Sequence, residues 1–447
     1  MLQPSHPGTI MTIPTHRTGL RKIGSHDLRP LSPLAPASAC LASFIVGLAS
    51  PIFADGEESL WARETLTGDW FGARDSLAEH GLTTELSTTG YYAGVLSGGG
   101  RNDEGDFGGR ADAFLHLNTD KAGWWQGGGF HLHAESRFGE AADRTAPRSG
   151  GLWPPNTGVA LPLGDPDRLV ASSIYYTHAF TPESVMMIGK INAVDLLASD
   201  PFFGGWARDR FENIAFVAPP SGVVPPTIMG AIFNQKLDAI TITAMVFDPN
   251  DRTNDYWVDE LFEDGVNLSL GGTWKGKLLD RASSIGLTAT YSTKEGADLS
   301  EILLPPDVKG GGKEGSFNIA LSGSHLLYEL PDQKGKGFGI YGKAAIADGN
   351  PNPIQSSFVG GFAGYGMVPG RPDDHFGIGY YFYDWSNDLQ SATAGAFTIR
   401  DEHGVELFYN LAITPWCRVS ADLQWINPAN ATFSDAWIGG LRATLFF

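Results

Sequence analysis

Cysteine is nearly missing: Cys40 and Cys417 are the only two in the chain. Only Cys417 lies beyond the N-terminal leader described below, so no internal disulfide can staple the folded protein, although an exported location would permit one. Charge is also scarce, at 18% of 447 residues, and basic charge is scarcest, with 31 Lys plus Arg against 50 Asp plus Glu and a net charge of −19. That balance lacks the basic footprint of a nucleic-acid binder, so no nucleic-acid partner is expected. Long apolar runs are missing too. After residue 54 no stretch approaches the roughly 18 apolar residues from which a membrane-spanning helix is read. Signatures of catalysis are absent as well. There is no Gly-x-Ser-x-Gly, and Gly310-Gly-Gly-Lys-Glu-Gly-Ser316 lacks the Gly-Lys-Ser/Thr of a phosphate loop. Neither an enzyme nor a cofactor is expected.

What is present begins with a leader. Arg17, Arg21, Lys22 and Arg29 precede an apolar stretch at 39–49, and Pro51-Ile-Phe-Ala54 comes just before Asp55-Gly-Glu-Glu58. The order of basic, apolar and small-residue segments reads as a secretory signal peptide over residues 1–54, cut near Ala54. The alternative is a tail carrying a short buried helix. Ser38-Ala39-Cys40 resembles a lipidation site, but the apolar run follows the cysteine instead of preceding it, and lipidation is set aside. Removing 1–54 leaves 27 Lys plus Arg and 49 Asp plus Glu, a net charge of −22. An acidic exported chain with 57 glycines and 11% aromatics fits either a secreted soluble β protein, such as a lectin or hydrolase, or a membrane β-barrel.

Periodicity separates these. Transmembrane strands alternate lipid-facing apolar residues with lumen-facing polar ones. Phe130, Leu132 and Ala134 alternate with His131, His133, Glu135 and Arg137. Ala111, Ala113, Leu115 and Leu117 alternate with Asp112, His116 and Asn118, leaving Phe114 as the one apolar lumen residue. Val266, Leu268 and Leu270 alternate with Asn267 and Ser269, and Val419, Ala421 and Leu423 with Ser420, Asp422 and Gln424. A polar face bearing both signs of charge suits a watery lumen. Aromatics at Trp124-Trp125, Tyr175-Tyr176, Tyr380-Tyr-Phe-Tyr383 and Trp416 suit interfacial girdles. The last strand places Trp437, Leu441, Ala443, Leu445 and Phe447 on one face.

Sixteen strands are predicted, starting near residues 83, 109, 128, 171, 184, 227, 239, 264, 283, 315, 337, 356, 374, 403, 417 and 436. Short links fall after even strands, as at Thr181-Pro-Glu-Ser184, Leu237-Asp238 and Thr414-Pro-Trp416. Long links (96–108, 139–170, 193–226, 249–263, 293–314, 386–402) fall after odd ones. The expected fold is therefore all-β, a transmembrane antiparallel β-barrel over 83–447 with short periplasmic turns, long external loops and lipid around it. Residues 55–82 form an N-terminal periplasmic segment with a short amphipathic helix: Trp70, Ala73 and Leu77 share a helical face, Asp69 suits its first turn and Gly81 its stop.

Several motifs resemble the carbohydrate-selective porins, the OprB family. Leu66-Thr-Gly-Asp-Trp-Phe-Gly-Ala-Arg74 resembles their opening motif and Asp348-Gly-Asn-Pro-Asn-Pro353 their most recognisable internal one. Pro369-Gly-Arg-Pro-Asp-Asp374, Gly379-Tyr-Tyr381, Glu402-His-Gly-Val-Glu-Leu-Phe-Tyr-Asn410, Thr414-Pro-Trp416, Leu423-Gln-Trp-Ile-Asn-Pro428 and Val246-Phe-Asp-Pro-Asn250 add to the likeness, which spans about residues 59–447. The resemblance implies a sixteen-stranded outer-membrane barrel that passes small sugars such as glucose by facilitated diffusion. The long Pro- and Gly-rich loops in 139–226 depart from the family pattern and leave the substrate range open. A general-diffusion porin without sugar preference is the rival reading, and a single barrel and a homo-oligomer are both compatible with the sequence.

A sugar offers hydroxyls and apolar C–H faces, so a transit site needs polar partners and an aromatic plate, with binding weak enough for release. Loops 139–170 and 193–226 are long enough to fold inward. The latter holds Phe203-Gly-Gly-Trp-Ala-Arg-Asp-Arg210. Trp206 is the expected plate, Arg208 and Arg210 lie beside it, and Arg110, Asp112, His133, Glu135 and Arg137 are the expected polar partners from strands two and three. The alternative for Arg208 and Arg210 is pairing with loop carboxylates, with Trp206 as a loop anchor. His131, His133 and Glu135 share a face but stand about 7 Å apart at i, i+2 spacing. They read as solvated lumen residues, and no metal is expected.

Overall fold

The computed structural model describes residues 59–100, 105–140, 145, 148–152, 155, 168–198, 200, 202–255 and 259–447. The leader at 1–54 and most of 139–170 lie outside the described residues. Sixteen antiparallel strands each pair with their sequence neighbours, and β1 (Leu82–Gly99) closes the ring against β16 (Ser434–Phe446). All sixteen predicted strands are present, with starts within four residues of expectation. Those used below are β2 (Gly105–Asn118), β3 (Gly128–Gly139), β4 (Leu169–Thr181), β5 (Ser184–Asn192), β6 (Thr227–Leu237), β8 (Asn267–Leu278), β9 (Arg281–Ala297), β10 (Gly312–Glu329), β11 (Gly337–Ala347), β12 (Ile354–Tyr365), β13 (His375–Trp385), β14 (Glu402–Thr414) and β15 (Cys417–Asn427).

Two-residue turns follow β4, β6, β8 and β14 as predicted. The alternation fails at the start of the barrel, where the link after β2 (119–127) is longer than that after β1, and around β11, whose link to β12 (348–353) is shorter than its neighbours. β1, β9 and β10 are also longer than predicted, at 18, 17 and 18 residues. Links 96–108 and 293–314 shrink to 100–104 and 298–311 accordingly. Alternation marks a strand only where one face meets lipid, so its reach beyond that band leaves no periodic signal. Short turns use positive φ where tightness demands it, as at Leu279 and Asp280 between β8 and β9. Among the described residues no helix is long and apolar enough to cross a membrane, which says nothing of strands.

The predicted faces hold in β8, where Leu268 is 49% exposed and neighbouring Asn267 fully buried. Leu423 is exposed and Gln424 buried in the same way on β15. The girdle reading needs correction at three tyrosines. Tyr381 and Tyr383 are buried in a core cluster inside the barrel, and Tyr175 lines an internal cavity. Strand parity turns alternate members of an aromatic run inward. Phe447 departs from expectation too. It is only 8% exposed, its N–H donates to Leu86 O at 2.9 Å, and Arg74 donates to its carbonyl at 2.7 Å.

The N-terminal helix, α1 (Ala73–Glu79), is shorter than predicted and buries none of its residues. Trp70 and Phe71 precede it at φ 53° and 61°, so Trp70 is not on its face. Asp69 does serve the first turn, accepting from Asp75 N at 3.0 Å.

Candidate functional site

The connection from β5 to β6 turns into the barrel. Asn192 ends β5 and caps α2 (Ala193–Leu197), its side chain accepting from Val194 N at 2.9 Å. Asn213 caps α3 (Ile214–Val217) in the same way. Between them the loop crosses to the far wall. Arg442 of β16 donates to the carbonyls of Ala207 and Arg210, and Thr444 to that of Arg208. Glu406 of β14 accepts from the N–H groups of Glu212 and Asn213, and Asn213 donates to Gln424 of β15 at 3.2 Å. On the return, Asn352 of the Asp348-Gly-Asn-Pro-Asn-Pro353 motif donates to Ser221 O at 2.9 Å, and Asn267 to Val223 O at 2.9 Å.

Apolar packing accompanies these bonds. Phe202, Phe203, Phe211 and Phe216 are buried with Tyr381, Tyr383 and Phe408 of β13 and β14. The wall makes room with glycine. A Cβ at Gly377 would lie 2.7 Å from the Phe211 ring, and one at Gly379 would lie 2.5 Å from Phe216. The rings fill what any side chain there would occupy.

The opposite wall is polar. Arg110 on β2 donates to Asp112 at 3.0 Å and to Glu135 of β3 at 2.7 Å. His133 places Nε2 2.9 Å from Asp112 and Nδ1 2.9 Å from Asp195 of α2. Each ring nitrogen thus faces a carboxylate, which accepts wherever that nitrogen carries its proton. Asp195 also accepts from Ser173 Oγ at 2.6 Å and from Trp206 Nε1 at 2.8 Å. The result is one chain of charge-assisted bonds from Glu135 through Arg110, Asp112, His133 and Asp195 to the indole of Trp206.

Trp206 is half-buried, 4.8 Å from the Phe114 ring and 6.0 Å, edge-on, from His133. The Arg208 guanidinium stands 4.4 Å over its face. A cavity of about 420 Å³ opens here, lined by Trp206, Phe114, Tyr175, His131, Asp195 and Glu85 among others.

The expected site residues thus divide. Trp206 and His133 line the cavity. Arg110, Asp112, His133 and Glu135 come together, but at 1–3% exposure. They were expected as partners open to a watery lumen; instead they neutralise one another in the wall and hold Asp195. Arg137 is half-buried opposite Arg110 in the ladder. Arg208 reaches the barrel wall, donating to Glu85 of β1 at 2.7 Å and Ser87 at 2.8 Å, rather than a loop carboxylate. Arg210 donates to the loop carbonyls of Asp200 and Phe203, with Asp209 at 3.8 Å. Burial alone would raise the Asp209 carboxyl, but Arg210, His375 and Arg418 hold it down at about 2.

Asp112, His133 and Glu135 offer ligand atoms close enough for a metal. Arg110 already lies between the two carboxylates as their cation, so the group is an ion network. Sequence reasoning missed Asp195, Tyr175 and Glu85. Asp195 had a signal: Asn192 followed three residues later by an acid at a strand end is a helix-cap pattern. Phe114, the one apolar residue on a polar face, was another.

The model of the carbohydrate-selective porin, OprB family, matches residues 108–447. The chain belongs to that family. OprB of Pseudomonas putida at high pH has a similar fold, with a TM-score of 0.75 over 87% of this chain and 100% of that one, at 18% identity. The low-pH structure of the same protein gives 0.55 at 15% identity, over 86% and 99%. DcaP, an outer-membrane channel of Acinetobacter baumannii, gives 0.51 at 10% identity, over 82% and 97%. Likeness at these identities speaks to fold alone. No curated protein matches the chain in sequence. As an OprB-family porin with a closed sixteen-stranded barrel, the protein is a bacterial outer-membrane channel with carbohydrate preference.

Proposed function

We propose that the sugar preference resides in the cavity between Trp206 and the β1–β4 wall, and that glucose-sized sugars cross it by passive diffusion with no cofactor and no catalytic step. The supporting observation is the meeting of rings and acceptors there. Trp206, Phe114 and Tyr175 offer apolar faces, while Asp195 and Glu85 offer carboxylates within the same cavity of about 420 Å³. That volume lies in the range of roughly 300–1,000 Å³ typical of small-molecule sites. The buried chain behind Asp195 fixes both its carboxylate and the indole edge of Trp206, so the site is ordered before the sugar arrives. Lipid surrounds the exposed apolar residues such as Leu268 and Leu423, with 1–54 removed as a signal peptide and 55–82 left in the periplasm.

Sugar flux through the full barrel in liposomes tests this reading. A site predicts flux that saturates with glucose concentration. Flux linear in concentration, and equal for sugars and other neutral solutes of the same size, would make the channel a general-diffusion pore.

A further inference from the structure

Two histidines at the short-turn end of the cavity take no part in the ion network. His116 on β2 and His131 on β3 are direct partners across the ladder, both line the cavity, and their Nδ1 atoms stand 3.2 Å apart. The Nε2 of His131 meets Thr177 Oγ1 at 3.0 Å, and that hydroxyl has the Gly129 carbonyl as its own acceptor at 3.4 Å. A hydroxyl that donates to a carbonyl is left to accept from Nε2–H. Neutral His131 therefore keeps its proton on Nε2 and turns a bare Nδ1 lone pair towards His116. Metal-binding imidazoles show this arrangement, one nitrogen held by a polar neighbour and the other free. Tyr175 stacks on the far side of His131 at 4.5 Å and 6°, fixing that ring's plane.

The spacing matches a metal. Two imidazole nitrogens bound to tetrahedral zinc at about 2.0–2.1 Å each stand about 3.3 Å apart. The two rings are tilted by 33° with centroids 4.3 Å apart. His116 can re-aim its Nδ1 by rotation about χ2, a torsion with a broad well. We propose that His116 and His131 form a binding site for a divalent metal of the zinc class, with water completing the coordination. Imidazole pairs suit zinc, copper and nickel, whereas magnesium and calcium require oxygen ligands. A dication held there stands in the passage and impedes ion flow. The site rests on this pair's geometry and is independent of where the sugar binds. Without a metal, the same pair is an Nδ1–H···Nδ1 hydrogen bond between neutral rings.

Zinc chloride titrated against the current through the full-length channel in planar bilayers separates the two, with magnesium chloride as control. Open-channel current itself shows that each variant has folded. The expected result is a saturable fall in current with zinc and none with magnesium. His116→Gln and His131→Gln should each raise the half-blocking zinc concentration at least tenfold. Absence of a saturable zinc effect, an equal effect of magnesium, or unchanged sensitivity in both variants would overturn the site. A shift in one variant alone would leave a single-histidine contact and overturn the pair.

Discussion

On the β13–β14 wall the constriction loop meets the barrel through rings: Phe203, Phe211 and Phe216 pack on Tyr381 and Phe408 over two glycines. On the β1–β4 wall it meets the barrel through charges: Asp195 binds His133, and Arg208 binds Glu85. Apolar burial is non-directional and strong per residue, which suits holding a loop in place. Charge-assisted bonds are directional, which suits presenting a particular edge of an indole or carboxylate to a solute. One wall holds the loop, and the other uses it.

The comparison breaks most visibly at the ring wall. Phe211→Ala and Phe216→Ala should each cost about 3–5 kcal/mol, as truncation of a buried Phe does, and the loosened loop should raise single-channel conductance and current noise. Thermal unfolding and single-channel recording would check both. Quiet, unaltered currents in the double variant would mean that the polar contacts to the barrel hold the loop without these rings.

Next in size is the outer surface. Leu268→Lys should destabilise the barrel by about 2–4 kcal/mol near the midplane, whereas Leu268→Ala costs less. Reversible unfolding of the series would show it, and equal stability would overturn the lipid-facing assignment.

Much of this architecture is legible in the sequence because lipid on one face and water on the other force alternation at Leu268/Asn267 and Leu423/Gln424. Trp206 and its loop are legible by length and composition. The burial of Arg110, Asp112, His133 and Glu135 is not, because alternation says which residues point inward but not what fills the inside. Asp195 and the Phe211–Gly377 contact are hidden for a related reason: a loop's docking partners lie about two hundred residues away or across a ladder.

Smaller effects follow from single groups. Burial pushes the Glu212 carboxyl in the loop up to about 8 from an ordinary 4.5, against Arg442 at 3.3 Å. A raised folded-state pKa means that this contribution to loop docking is full below about pH 4.5 and is lost as pH rises through about 8. Current noise should therefore grow between pH 7 and 9, and Glu212→Gln should remove that dependence. On the charged wall, Arg137→Gln and Glu135→Gln should shift ion selectivity in opposite directions. The shift for Glu135 should be small, because Arg110 pairs with it at 2.7 Å. Reversal potentials across a salt gradient would measure both.

The central claim is that the polar wall and Trp206 make the sugar site. Its most direct test is glucose titration of the ion current through single channels of the unmodified protein and Trp206→Ala. Stacking on one aromatic is worth on the order of 1 kcal/mol, so the variant should need several-fold more glucose for half-maximal block, with open-channel conductance equal or higher. Identical glucose block in the two channels would contradict the claim and place the sugar elsewhere in the lumen.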